Sequence, residues 1–189
     1  MSRLTLGVLM ISVALNIGLA TAAHRRFSKV VVSSALELIP GELITHIAGA
    51  TPNGEPVALK WPSEKPTLLY VITPTCPWCT RNAANFDAIV REKADEYQIV
   101  LVSLTMQGFR EYWEALRLNW TGQAVLPIGD LAQDTLNSLK IVGTPELILI
   151  SPAGMVEKVW TGAFMNSREE IERLLRVSLP GIDDVPTSR

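Results

Sequence analysis

The sequence predicts an α/β fold, a mixed central sheet with helices on both faces, preceded by one N-terminal transmembrane or signal helix. Three observations carry this. Two continuous apolar runs, "PTLLYVIT" (66–73) and "QIVLVSL" (98–104), have the length and β-branched content of strands buried on both faces. Segments of 3.6-residue periodicity alternate with them. Near the end, "ELILISPAGMVEKVWTG" (146–162) reads as two strands joined at Pro152-Ala153-Gly154, so the alternating pattern closes on a hairpin.

In chain order, the first element is Leu4 to Ala23, a run of 20 uncharged residues. As a helix it spans roughly 30 Å, the hydrocarbon thickness of a bilayer. Its length favours a signal anchor, whereas Ala20-Thr21-Ala22 resembles a cleavage site, so residues 1–23 are assigned as signal anchor or signal peptide. Residues 24–43 are a tether, with helical character expected around "SSALELIPGELI" (33–44). "ATPNGEPVAL" (50–59) combines Pro-Asn-Gly turn chemistry with a short strand.

After the strand at 66–73, Ala83, Phe86, Ile89 and Val90 line one face of a helix reaching about Asp95. After the strand at 98–104, Phe109, Trp113 and Leu116 mark a second helix. "AVLPIG" (124–129) is a short strand, and Asp130 is the expected N-cap of a helix over "DLAQDTLNSLK". The last helix, 167–179, opens with Ser167 and, three residues on, Glu170, the pattern of a capping box. Trp113, Trp120 and Trp160 are assigned to packing. One domain over residues 44–180 and a tail over 181–189 account for the rest.

Composition narrows the function. Apolar residues make up 48% of the chain and charged residues 19%, which excludes disorder and a basic nucleic-acid binder. From residue 30 onward, 13 basic residues stand against 19 acidic ones, so a nucleic-acid partner has no electrostatic support.

The chemistry sits in "TPTCPWCTRN" (73–82), which holds both cysteines of the chain. They fall where a buried strand passes into an amphipathic helix. Pro77 suits the first helical turn because its missing N–H has no intrahelical partner to lose. Cys76 then sits at the helix N-terminus, where free N–H groups stabilise a thiolate. Cys79 lies one turn on, within disulfide reach. An attacking thiol beside a resolving one is what thiol–disulfide exchange requires.

The competing readings fit less well. A c-type haem site needs His at position 80, which is Thr; a zinc site needs further ligands, and the only histidines are His24 and His46. An inert cysteine pair remains an alternative. No resident metal or cofactor is expected beyond the Cys76–Cys79 pair itself.

From about residue 44 to 178 the chain resembles the thioredoxin fold, and within it the membrane-tethered TlpA/ResA-like and cytochrome-c-maturation thiol–disulfide oxidoreductases. Strand "TLLYVIT", then CPWC, then helix matches the active-site unit of that family, and "VGTPELILISPAGMVEKVWTG" (142–162) matches its second signature. The resemblance implies a cis-proline at Pro145 facing the dithiol, with Thr144 pairing its backbone with a substrate peptide. It implies that "ITHIAGATPNGEPVAL" (44–59) forms an N-terminal β-hairpin extension. Cys76 and Cys79 are then catalytic, and Pro77, Trp78, Thr144 and Pro145 contact the substrate.

The sequence departs from the family at three positions. Thr75 stands in place of the usual Trp before the first cysteine, Tyr70 in place of the buried acid that thioredoxins carry six residues before it, and Asn82 in place of the Glu that some TlpA/ResA-like members carry six residues after it. Glu146 is a possible proton relay, although a Glu at a strand end is ordinarily solvated.

The function expected on these grounds is a membrane-tethered oxidoreductase exchanging its dithiol with protein thiols and disulfides, as a reductant. The electron donor is not indicated. The alternatives are a thiol chaperone or metal-binding module in the same fold and, from Thr73-x-x-Cys76, a thiol peroxidase, although Leu69 replaces the Pro of that motif. The resemblance also implies a single-pass bacterial inner-membrane protein with its domain in the periplasm. Arg25, Arg26 and Lys29 after the apolar run oppose this, because positive flanks favour the cytoplasm.

Overall fold

A computed structural model describes residues 37–120 and 122–182. The apolar run 4–23 and most of the tether lie outside the described residues, and among these no helix is long and apolar enough to cross a membrane.

The central strand β3 (Thr67–Ile72) is buried at every position. It pairs in parallel with β4 (Gln98–Ser103) and antiparallel with β6 (Glu146–Ile150). β5 (Val125–Ile128) extends the sheet beside β4, and β7 (Val156–Thr161) closes it beside β6, giving the order β5-β4-β3-β6-β7. A separate antiparallel hairpin, β1 (His46–Ala50) with β2 (Pro56–Lys60), precedes it. The alternating strands and helices, the closing hairpin and the N-terminal hairpin are as expected.

Because side chains alternate along a strand, β3 feeds two cores. Leu68, Tyr70 and Ile72 face one core with Cys79, Phe86, Ile89 and Phe109. Leu69 and Val71 face the other, with Ile44, Ile47, Leu59 and Leu139. Helices therefore cover both faces, and the hairpin shares the second face with α4 (Gln133–Leu139).

Four local expectations are corrected. The helix after CPWC is two helices, α1 (Pro77–Arg81) and α2 (Ala83–Lys93), meeting at Asn82. There the Asn82 side chain turns into the core to donate to the Tyr70 hydroxyl at 3.1 Å. In the described part of 33–44 there is no helix: Gly41 adopts φ +93°, Leu43 bridges Met155, and Leu38 and Ile44 are buried. Asp130 does not cap α4, since it holds φ +45° two residues before the N-cap, Ala132.

Ser167 stands at the N-cap of α5 (Arg168–Leu175) without a side-chain capping bond. Glu170 is drawn instead to Lys158 Nζ at 2.6 Å and Trp160 Nε1 at 2.9 Å. A charged partner on a neighbouring strand outcompetes the backbone N–H of the box.

Two close approaches lock the hairpin onto the sheet. Ala50 and Gly129 exchange backbone hydrogen bonds, both 2.7 Å. A Cβ on Gly49 would lie 2.4 Å from the Gly129 carbonyl oxygen and 2.9 Å from Ile128 Cγ2. Only glycine permits that contact.

Candidate active site

The dithiol lies at the C-terminal end of β3, the end from which a parallel strand presents its loop. Cys76 is the N-cap of α1 with extended backbone (φ −76°, ψ 115°), and Pro77 follows in the first turn. Cys76 is half-buried and Cys79 fully buried, and both are free thiols. The Cys79 backbone N–H donates to Cys76 Sγ at 3.2 Å. The Cys76 thiol donates to the Thr144 carbonyl at 3.4 Å. Residues 76 and 144 therefore meet across the site, and the Thr144–Pro145 peptide bond is cis. The Thr73 and Thr144 hydroxyls lie 3.3 Å apart and join the two loops.

The two thiols are electrostatically unlike. Burial pulls Cys76 upward, but hydrogen bonds from Cys79, from Thr144 and from the Cys79 and Trp78 backbone outweigh it and leave Cys76 below its ordinary value. Cys79 is pushed to about 12, first by burial and then by the hydrogen bond with Cys76. An accessible thiol poised to ionise thus stands against a buried thiol held protonated. That division suits one attacking and one resolving sulfur.

Pro77 and Trp78 are exposed beside the sulfurs, Trp78 at 46%. The Arg81 guanidinium stacks over the Trp78 ring, 5.1 Å from its centre, and so holds an apolar plate at the rim. Pro145 itself is buried and Thr144 half-buried.

Glu146 is not a solvated strand-end residue. It is buried at 1% exposure, and its Oε2 accepts from the Thr161 hydroxyl at 3.1 Å. β6 runs between β3 and β7, so its first side chain is covered on both sides.

Two of the positions at which the sequence departs from the pattern it resembles are bonded to each other. Asn82 donates to the Tyr70 hydroxyl, Asn85 donates to Asn82 Oδ1 at 2.8 Å, and the Gly181 backbone N–H donates to Asn85 Oδ1 at 2.8 Å. A neutral chain thus occupies the space beneath the dithiol. Tyr70 stacks on Phe86 with ring centres 4.2 Å apart, and Trp120 meets Phe86 edge-on at 5.5 Å. Trp120 and Trp160 are buried and Trp113 packs against Trp120, as assigned.

Sequence reasoning missed Thr73 as the partner of Thr144, and it missed that the Tyr112 hydroxyl, on α3 (Phe109–Arg117), is buried with no hydrogen-bond partner among the described residues. Thr73 carried a signal only through the Thr-x-x-Cys spacing, and Tyr112 carried none. His46 pairs with Asp134 at 2.9 Å and with Thr45 at 3.2 Å. Among the described residues no three His, Cys, Asp or Glu side chains gather as a metal site.

No family model and no curated protein matches the chain. Solved structures do. The thioredoxin domain of a thiol-disulfide oxidoreductase from Bacteroides vulgatus is similar at TM-score 0.51 and 22% identity, over 71% of this chain and 99% of that one. StoA from Bacillus subtilis gives 0.52 and 19%, over 72% and 98%. The exposed lipoprotein thioredoxin Etrx1 from Streptococcus pneumoniae gives 0.55 and 18%, over 70% and 98%. Likenesses at such identities establish architecture, and the five-stranded mixed sheet agrees with them: the described domain has a thioredoxin fold with an N-terminal β-hairpin.

Proposed function

We propose that the protein is a membrane-tethered thiol–disulfide oxidoreductase that reduces disulfides in other proteins. The observation that carries this reading is the asymmetry of the dithiol. Cys76 is accessible, receives hydrogen bonds that favour its thiolate and faces cis-Pro145, whereas Cys79 is buried behind it and pushed to about 12. The neighbours named as an oxidoreductase domain, StoA and a thioredoxin lipoprotein support the same chemistry.

The Cys76 thiolate attacks one sulfur of a substrate disulfide, forming a mixed disulfide and releasing the other sulfur as a thiolate that takes up a proton. The Cys79 thiolate then attacks Cys76 Sγ, closing the Cys76–Cys79 disulfide and expelling the substrate's second sulfur as a thiol. Two electrons pass to the substrate. Thr144 offers its backbone to an extended substrate segment, and Pro77 and Trp78 supply apolar contact.

The reductant direction follows the resemblance to the cytochrome-c-maturation oxidoreductases, and the reduction potential of the Cys76–Cys79 couple tests it. Tethering rests on the 20-residue uncharged run, and a periplasmic setting on the need for disulfides to act on. Cytochrome c maturation is one process that would use such a reductant.

Expression of Cys79→Ser in a bacterial host tests the proposal. The variant should accumulate mixed disulfides through Cys76 with other proteins in the membrane fraction, accessible to a membrane-impermeant thiol reagent applied to spheroplasts. Absence of any trapped partner, together with no exchange by the wild-type chain, would refute the reading.

A further inference from the structure

Resolution by Cys79 poses a physical problem. Cys79 is fully buried, and burial is the first cause that pushes it up in the resting dithiol, so it must give up its proton in an apolar setting before it can attack. Tyr70 and Asn82, which lie six residues either side of Cys76, satisfy each other. Asp87 is committed elsewhere, accepting from Trp120 Nε1 at 2.8 Å and Asn119 Nδ2 at 3.0 Å.

One group in this core is uncommitted. Tyr112 packs against the cluster that contains Cys79, Tyr70 and Phe86, and its hydroxyl is buried with no hydrogen-bond partner among the described residues. A buried hydroxyl without a partner carries an unrecovered desolvation cost, so its persistence calls for an account. Burial raises the Tyr112 phenol, and the charges of Cys79, Cys76 and Asp87 raise it further. The Tyr70 phenol, which faces the same groups, is also raised, by burial first. Both phenols therefore stay protonated across the working pH range, but the Tyr70 hydroxyl is already bonded to Asn82 while that of Tyr112 is free to donate.

We propose that the Tyr112 hydroxyl assists the resolving step by donating a hydrogen bond to the Cys79 sulfur as it becomes a thiolate. This rests on the dithiol-exchange reading above. In the mixed disulfide the Cys79 S–H bond breaks, and the S–S bond to Cys76 forms as the bond between Cys76 and the substrate sulfur breaks. The departing substrate thiolate takes up the proton given up by Cys79, and Tyr112 keeps its own proton throughout. Because the bond is made only when the anion forms, it favours the transition state over the resting dithiol.

Tyr112→Phe removes the hydroxyl and keeps the ring. The full 189-residue chain in detergent is mixed with glutathione disulfide, and the Cys76–glutathione adduct is followed by acid quench and mass spectrometry. Formation of the adduct, which needs Cys76 alone, should change less than about twofold. Its resolution should slow about tenfold, the worth of one hydrogen bond to a charged group, and the pH midpoint of resolution should rise.

A merely structural tyrosine predicts the reverse pattern: a lowered melting temperature with both steps affected alike. Removing an unpartnered hydroxyl should leave the melting temperature unchanged or higher. Should Tyr112→Phe fold poorly, 3-fluorotyrosine at position 112 keeps the ring and strengthens the donor, and it should resolve at least as fast as wild type. Wild type that never forms the adduct overturns the oxidoreductase reading itself. Wild type that resolves normally while Tyr112→Phe resolves equally fast, or 3-fluorotyrosine resolves more slowly, overturns only the role of Tyr112.

Discussion

Cys76 and Cys79 are chemically identical and one helical turn apart, yet their surroundings drive them in opposite directions. Cys76 takes the Cys79 N–H at 3.2 Å, while Cys79 lies at zero exposure among Phe86, Tyr70 and Phe109. The sign of the consequence is definite. A lowered thiol ionises at lower pH, so alkylation of Cys76 by iodoacetamide in the reduced chain should reach half its limiting rate below pH 9.0, the ordinary thiol value. Cys79→Ala removes the side-chain hydrogen bond that helps lower Cys76, and the midpoint should move up. A midpoint at or above 9.0 in the wild type would contradict the assignment.

At this scale the sequence was informative about which residues the fold brings together around the dithiol. CPWC and Pro145 needed only local spacing and resemblance to be found. The buried state of Glu146 and the free hydroxyl of Tyr112 were not visible, because both depend on which neighbours the sheet and α3 bring against them.

The elements are placed by contacts that reach across the chain. The strands were legible because β3 and β4 are buried on both faces and need continuous apolar runs. Local rules failed where a distant partner made a better offer. Glu170 left its capping box for Lys158 and Trp160, and Asn82 left the helix line for Tyr70.

The β1–β2 hairpin depends in the same way on Gly49, whose α-carbon faces the Gly129 carbonyl with no room for a methyl group. Gly49→Ala must move backbone rather than a flexible side-chain tip, so it should destabilise the protein by about 1–3 kcal/mol, the usual cost of overpacking. Urea denaturation of the two proteins measures this, and an unchanged midpoint would mean that the hairpin is not docked as described.

At the scale of the molecule, one sheet supports two cores and presents one reactive edge. The core with the aromatic side chains backs the dithiol, and the other seats the N-terminal hairpin. This architecture was predictable from the order of strands and helices, because right-handed crossovers between parallel strands leave few alternatives. The apolar run at 4–23 belongs to the same scale, since tethering would confine the dithiol to partners that come to the membrane.

The proposed function requires that Cys76 and Cys79 form a reversible couple. The most direct measurement equilibrates the full chain, in detergent, with graded ratios of reduced and oxidised glutathione and reads the Cys76–Cys79 disulfide by mass spectrometry. A single reversible two-electron transition below about −230 mV is predicted, the range of reductants that must be resupplied with electrons. No reversible disulfide at any ratio would contradict the account, and a transition near about −120 mV, the range of strong oxidants, would contradict the direction of electron flow.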